Sequence, residues 1–596
     1  VLAMSQPRSI VANFTITPHY VSPSGSNIWP FMSWATAATT IQEAVNAALP
    51  GRTVLVGNGT YVVSEPVTIT NGIVVRSLNG SGSTVVDGNR MTRCFWISHS
   101  NAVVSGFTIK RGRTSGDGGG VVIDRAGRLE NCAVTDNAAT NYGGGVYVYL
   151  GGIVENCSVS GNSATYGGGI HCSSGGVARG CWISGNSAAY GGGLRLRRGG
   201  EAFSCVISNN TAAYGGGGAQ IVVAGAVSGS VVHGNSGGTY GGGAYLYLGG
   251  SMERCEFTKN TAVYGGGAQC EEAGSISQCD IRTNSAVYGG GIRLKAGGWI
   301  DRCAISNNSA YAGGGVQVAS DGLVMNSLIV WNTASNQAGG VYLYMGGTAD
   351  CCTVSSNTAT NAAGGAVLEN GGLMRNCVIR NNMARTNLEW TTVRSGGSFQ
   401  YCNTVPAPPG AGNSDRPALF ADPAAGHWRQ AEGSACLDAG LMQPWMNGAA
   451  DLDGNPRVAD GRVDIGAYER PDSDGDGMSD WSEINRYLTD PSNPDTDRDG
   501  YADWAEVVAG TDPLNAADYF VIESAEIGGG RIMLHWLSAT GRWYSVQMSA
   551  GLIPVSSWGA ASDWVERAGT GGWMSYTGSM PGIRGFYRVG VKMPVP

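Results

Sequence analysis

Two short stretches of this sequence carry residue types that do chemistry at fixed spacing. Asp472, Asp474, Asp476, Met478, Asp480 and Glu483 occupy positions 1, 3, 5, 7, 9 and 12 of a twelve-residue loop, with Gly477 at position 6. Asp495, Asp497, Asp499, Tyr501, Asp503 and Glu506 repeat the arrangement around Gly500. Carboxylates at 1, 3, 5, 9 and 12, a backbone carbonyl at 7 and a sharp glycine turn at 6 are what an oxygen-liganded Ca2+ loop needs. Five carboxylates within twelve residues repel one another unless a hard cation sits among them. Each loop is therefore expected to bind Ca2+ through these residues.

Other reactive types are scattered. Lys110, Arg111, Arg113, Asp117, Asp124 and Arg125 form one charged cluster, and Glu271, Glu272, Asp280 and Arg282 another. Both read as solvated surface. His171 and His233 are expected on exposed surface. The fifteen cysteines contain no CxxC metal pair, and their regular spacing predicts buried, reduced thiols acting as small hydrophobes.

That spacing belongs to a repeat, which must position everything else. Asparagines recur at 137, 162, 186, 210, 235, 260, 284, 308, 332, 357 and 382, always 24 or 25 residues apart. Five residues before each stands a cysteine, or Ser230 or Ser327. After most of them comes a glycine triplet, as in "NSATYGGGI" from Asn162 to Ile170. "GGGVYVYLGG" (Gly143 to Gly152) alternates apolar and tyrosine residues with period two, which is strand patterning. Two or three short strands per unit, separated by turn residues, give a solenoid of parallel strands about 4.8 Å apart. Identical residues then stack as ladders: cysteine, asparagine, and tyrosine at 142, 166, 190, 214, 240, 264 and 288.

A longer period is superimposed. Tyr147/Tyr149 recur as Tyr245/Tyr247 and Tyr342/Tyr344, and Arg195/Arg197 as Arg293/Lys295, every 97 or 98 residues. On the outside of the solenoid these pairs would form a ligand surface of tyrosine and basic pairs about 19 Å apart. Such a surface suits a polysaccharide, another cell-surface ligand, or copies of the chain itself.

The chain divides as 1–38, an N-terminal extension with a strand candidate at Ser9 to Thr17; 39–402, the β-helix, with a cap helix at Thr39 to Leu49 and regular rungs from about 112; 403–470, a closing segment; 471–518, the tandem calcium loops; and 519–596, a small β-sandwich-like module. Asp472 to Asp518 hold thirteen acids and two arginines, so this module is −11 and the rest of the −8 chain is +3. Without a basic stripe, nucleic-acid binding is not expected. Without eighteen consecutive apolar residues, neither is a transmembrane helix.

Several segments carry resemblances. "YVSPSG" and "WATAATTIQEAVNAALPGRTVLVGNGTYV" resemble the opening of right-handed parallel β-helix proteins of the pectate-lyase-like superfamily. "VSGNSATYGGGI" and "FTKNTAVYGGGA" resemble the repeats of polymorphic outer membrane proteins, which are surface adhesins. "PALFADPAAG…GSACLDAG…DLDGNPRVADGRVDIGAYE" is similar to choice-of-anchor segments, and the acidic loops with "GTDPLN" resemble bacterial thrombospondin type 3 repeats. These resemblances imply an all-β fold, a right-handed parallel β-helix with a calcium module and a C-terminal β-domain, secreted or displayed on a bacterial surface. The expected role is structural or adhesive, with filament formation or polysaccharide binding. The alternative is a secreted polysaccharide lyase or hydrolase on the same fold. An active site would break the repeat at one place, and no long loop interrupts Asn137 to Asn382.

Overall fold

A computed structural model describes residues 17–549, 558–561, 564–579 and 586–593. The strand candidate at 9–17 lies, but for its last residue, outside the described residues. The chain divides into two compact units, 1–441 with 465–467, and 442–464 with 468–596. The division falls inside the segment read as 403–470.

The first unit is a parallel β-solenoid. Its four sheets contain sixteen, fifteen, fourteen and twelve strands, each strand pairing with its equivalent one turn away. From Arg113 onward every turn contributes four strands of two to five residues, not the expected two or three. The extra strand is the segment after each ladder asparagine, such as Ser187–Tyr190, which pairs in parallel with Ser163–Tyr166. Its Asn-Ser/Thr start reads as turn chemistry, yet stacking on an identical neighbour supplies the hydrogen bonds that make it a strand.

The core is built from those stacks. Ile183, Ile207, Val232, Phe257, Ile281 and Ile305 are fully buried one above another. All fifteen cysteines are buried and unbridged. The asparagine ladder is a continuous hydrogen-bond chain. Asn162 donates its backbone N–H and side-chain amide to Asn186 Oδ1 (3.0 Å each) and the amide also to the Val134 carbonyl (2.9 Å). The pattern repeats down to Asn382, where Glu389 Oε2 takes the place of the next asparagine (2.9 and 2.8 Å). The glycine triplet lies against this ladder: Gly167 has φ +66°, and a Cβ at Gly169 would stand 2.6 Å from the Gly193 carbonyl oxygen. No side chain fits there.

At the N-terminal end a helix covers the open turn. It spans Ile41–Ala47, shorter than the expected Thr39 to Leu49. Thr40 and Glu43 form a capping box at its start, and Ile41, Ala44 and Val45 are buried. It stops at Ala48 because Leu49 precedes Pro50, which disfavours helical backbone. At the other end the sheets finish at Asn403–Thr404. The following segment folds back on the fifteen-stranded sheet: Cys436 and Ile465 pack on Val378, and the Ala467 N–H donates to Thr353 Oγ1 (3.0 Å).

The second unit joins the acidic loops to a β-domain of two antiparallel sheets. Ile522–Gly528, Arg531–Leu537 and Trp573–Ser579 form one; Trp543–Ser549 pairs with Phe586–Lys592 and two short strands in the other. Leu534, Trp536, Tyr544, Val546 and Tyr576 are its core. Among the described residues no helix is long and apolar enough to cross a membrane.

Candidate functional site

The acidic loops have the geometry of cation sites. Asp472, Asp474 and Asp476 bring one oxygen each within 4.8 Å of one another, and Asp495, Asp497 and Asp499 do the same. The turns that gather them come from the aspartates themselves. Asp472 accepts from the N–H groups of Gly475 and Gly477, and Asp476 from that of Met478 (2.7 Å). Asp495 and Asp499 repeat this with Gly500 and Tyr501 (2.9 and 2.8 Å).

Glu483 and Glu506, each a position-12 residue, are carried back to the loops by Asp480–Ser482 and the π-helical turn after it, and by the helix Asp503–Ala509. Both side chains are buried. Burial, and then crowding by neighbouring aspartates, push each carboxyl up to about 8. The same causes raise Asp476 to about 6. Asp474 Oδ2, Glu483 Oε2, Asp497 Oδ2, Asp499 Oδ2 and Glu506 Oε2 are buried without a hydrogen-bond donor. Buried acceptors in that condition are costly, and a hard divalent cation satisfies them together. The residues present fit Ca2+.

The two position-9 carboxylates also carry hydrogen bonds within their loops. Asp480 accepts from the Ser473 N–H and hydroxyl (2.7 Å each), and Asp503 from the Thr496 N–H and hydroxyl (2.8 and 2.7 Å). With both oxygens engaged, the position-9 carboxylates fasten the loop to its own second residue. Met478 and Tyr501 keep the position-7 place, the first fully buried and the second exposed.

The second candidate is the outer surface of the fourteen-stranded sheet. Tyr147, His171, Arg195, Gln220, Tyr245, Gln269, Arg293, Gln317 and Tyr342 follow one another in register along it. Beside them runs the tyrosine ladder, with ring centroids 5.4 Å apart for Tyr142–Tyr166, 5.7 Å for Tyr166–Tyr190 and 5.6 Å for Tyr264–Tyr288. Arg195 lies over the Tyr166 ring at 4.7 Å and Arg293 over Tyr264 at 4.5 Å, cation–π distances.

The ligand surface is consequently less open than its spacing suggests. Arg195 is 9 % exposed, Tyr245 7 % and Tyr342 5 %. They point away from the core but lie under neighbouring rings, since rungs 4.8 Å apart leave no gap between aromatic side chains. Burial, then the Arg197 charge, lowers Arg195 to about 10. Tyr149 is the open member of its pair, at 40 %. Tyr147, Arg197, Tyr247, Lys295 and Tyr344 are half-buried.

The expectation of exposed surface is corrected for His171, while His233 is half-buried. His171 is 1 % exposed, packed edge-on to Tyr142 (4.8 Å) and Tyr147 (5.4 Å), and His233 Nδ1 contacts Thr258 Oγ1 at 2.7 Å. Glu271 and Glu369 were missed as parts of this face: they accept the hydroxyls of Tyr245 (2.9 Å) and Tyr342 (2.6 Å). Their own separation of 98 residues matches the longer period. Part of each charged cluster forms ion pairs. Arg111 and Lys110 face Asp87, Glu271 pairs with Lys295, and Arg282 with Asp280 and Glu256.

Comparison with known proteins agrees with this architecture. The model of the bacterial TSP3 repeat matches residues 495–516, the second acidic loop and its helix. A crystal structure of pectate lyase Pel9A is similar at 14 % identity and a TM-score of 0.26, covering 76 % of this chain and 97 % of that one. No curated protein matches the chain. The model described as right handed beta helix region matches residues 94–262 and 248–401. Those matches span more than half of the sequence, so the chain belongs to the right-handed β-helix family.

Proposed function

We propose that this chain is an extracellular or cell-surface structural protein that adheres to polysaccharide or to a partner surface through the outer face of its fourteen-stranded sheet. The observation that carries this reading is the in-register row of outward side chains along that face, from Tyr147 to Tyr342. Tyrosine, arginine and glutamine side chains continue turn after turn, and no long loop interrupts the repeat from Asn137 to Asn382. Aromatic faces and amide or guanidinium groups are what sugar rings stack on and bond to. The acidic loops act here as Ca2+ sites, and Ca2+ supplies the charge that holds their carboxylates together. Extracellular calcium is abundant enough to fill sites of this kind. The likeness of 403–470 to choice-of-anchor segments and the TSP3 match support secretion or surface display.

The test is co-sedimentation of the full chain with insoluble acidic and neutral polysaccharides in calcium, while the supernatant is followed for new reducing ends and unsaturated products. Retention without cleavage is expected. Release of oligosaccharides would replace this reading with the enzymatic one.

A further inference from the structure

The four-rung duplication presents the same arginine twice, once covered and once open. Around Arg195, Tyr214 stacks on Tyr190 at 5.3 Å and the Tyr240 ring stacks on Tyr245 at 5.4 Å. Gly215 makes room for this, because a Cβ there would stand 2.7 Å from the Tyr245 ring. In the next block Ala312 replaces Gly215 and Gln337 replaces Tyr240, both 97 residues on. The alanine methyl takes up that room. Tyr311 stands 6.2 Å from Tyr288 at 79°, not stacked. A pocket of about 320 Å³ opens, lined by Tyr264, Tyr288, Arg293, Gln317, Tyr342 and Tyr344.

The pocket has one charged group, Arg293, with no carboxylate hydrogen-bonded to it. Arg293 donates Nε–H to Gln317 Oε1 (2.9 Å) and Nη1–H to Gln269 Oε1 (3.4 Å), both neutral acceptors, which leaves Nη2 free to donate. The nearby Glu271 is taken by Lys295 at 2.5 Å, and Glu369 by the Tyr342 hydroxyl and Arg394. No carboxylate lines the pocket. Four tyrosines form the walls, and the guanidinium is held over the Tyr264 ring and by two glutamines. A guanidinium oriented in this way is matched by a carboxylate or a sulfo group, and tyrosine faces are matched by a sugar ring.

We propose that the Arg293 pocket binds a single sugar ring carrying an anionic substituent, and is the point at which the outer face selects charged over neutral glycans. This rests on the adhesive reading above.

The probes are methyl glucuronide, glucose 6-sulfate and methyl glucoside, titrated calorimetrically into the full chain with calcium. Wild type is expected to bind at least one anionic ring, and the neutral ring roughly tenfold more weakly, as loss of one charge-assisted contact dictates. The two anionic probes separate carboxylate from sulfate as the source of charge. Arg293→Gln should abolish the preference. Ala312→Gly combined with Gln337→Tyr, the latter at a half-buried position, restores both the room and the ring that close the first block, and should abolish binding while the chain still melts cooperatively. Equal binding of neutral and charged rings, no binding of any probe, or undiminished binding by either variant overturns the proposal. Polysaccharide co-sedimentation of the Arg293→Gln chain separates the two claims: retention there with no monosaccharide binding in wild type removes the pocket alone, and loss of retention in wild type removes the adhesive reading as well.

Discussion

Asp476 Oδ2 in the first acidic loop accepts the backbone N–H of Trp504 at the head of the second loop's helix, at 2.8 Å. One loop's cation-facing aspartate thus caps the helix that brings Glu506 to the other loop. The Trp504 indole also lies over Gly477, where an added Cβ would approach it to 2.9 Å. The two sites are mechanically joined.

Calcium binding should be coupled as a result. Asp476→Ala is expected to weaken both sites, by roughly tenfold or more, since a buried charge-assisted hydrogen bond contributes about 1.5–3 kcal/mol. Glu506→Gln should weaken the second site most. Calorimetric titration of the full chain after chelation checks this. Asp476→Ala binding its second ion with wild-type affinity would show the loops to be independent.

The asparagine ladder should be the least forgiving stack in the solenoid. Asn260 Oδ1 accepts the Asn235 N–H and amide (2.9 and 3.0 Å), and its own amide donates to the Val232 carbonyl (2.8 Å). Asn260→Ala strands these buried groups, at about 1–3 kcal/mol each. A destabilisation of roughly 3 kcal/mol or more is expected from denaturant unfolding, and a change below about 1 kcal/mol would mean that water replaces the ladder.

The cysteines divide into two classes. Cys255 Sγ donates to the Glu253 carbonyl at 3.3 Å, as Ser230 and Ser327 do at equivalent places to Ser228 (2.9 Å) and Met325 (2.6 Å). Cys255→Ser should therefore shift stability by less than about 1 kcal/mol. Cys270 points into the apolar core without an acceptor for its Sγ, and Cys270→Ser should cost roughly 1–3 kcal/mol. Equal costs at the two sites would contradict the distinction.

His171 predicts an acid-side weakness. Burial, then the Arg195 charge, holds its imidazole well below its usual pKa of 6.5. Below that value the unfolded chain takes up a proton that the folded chain refuses, so stability falls as pH falls. The slope is up to about 1.4 kcal/mol per pH unit. His171→Gln places there the residue that the next block has at Gln269, and should flatten the decline of unfolding midpoint between about pH 6.5 and 5. An unchanged slope would assign the acid sensitivity to other groups.

Much of this molecule is legible in its sequence because a solenoid obliges identical residues to meet. The cysteine phase of the repeat predicts an inward ladder and the asparagine phase a turn ladder; both stacks form, and the asparagines of the turn are buried as well. What the repeat conceals is lateral packing. Tyr245 and Arg195 have outward parity, but whether they meet solvent is decided by rings from neighbouring turns. Spacing also cannot tell which way a carboxylate turns. Asp480 stands at ligand spacing, and both of its oxygens also accept from Ser473, from its N–H and its hydroxyl at 2.7 Å each. The fourth strand of each turn went unseen because Asn-Ser and Asn-Thr are turn signals until a copy stacks against them.

The most direct test of the central claim compares the wild-type chain with a triple variant, Tyr149→Ser, Tyr247→Ser and Tyr344→Ser, in quantitative polysaccharide co-sedimentation. These are the more open members of their pairs, so the solenoid should melt as before. Retention reduced by roughly tenfold, at about 1–2 kcal/mol for lost aromatic contacts, is the expected result. Undiminished retention by the variant would contradict adhesion through this face.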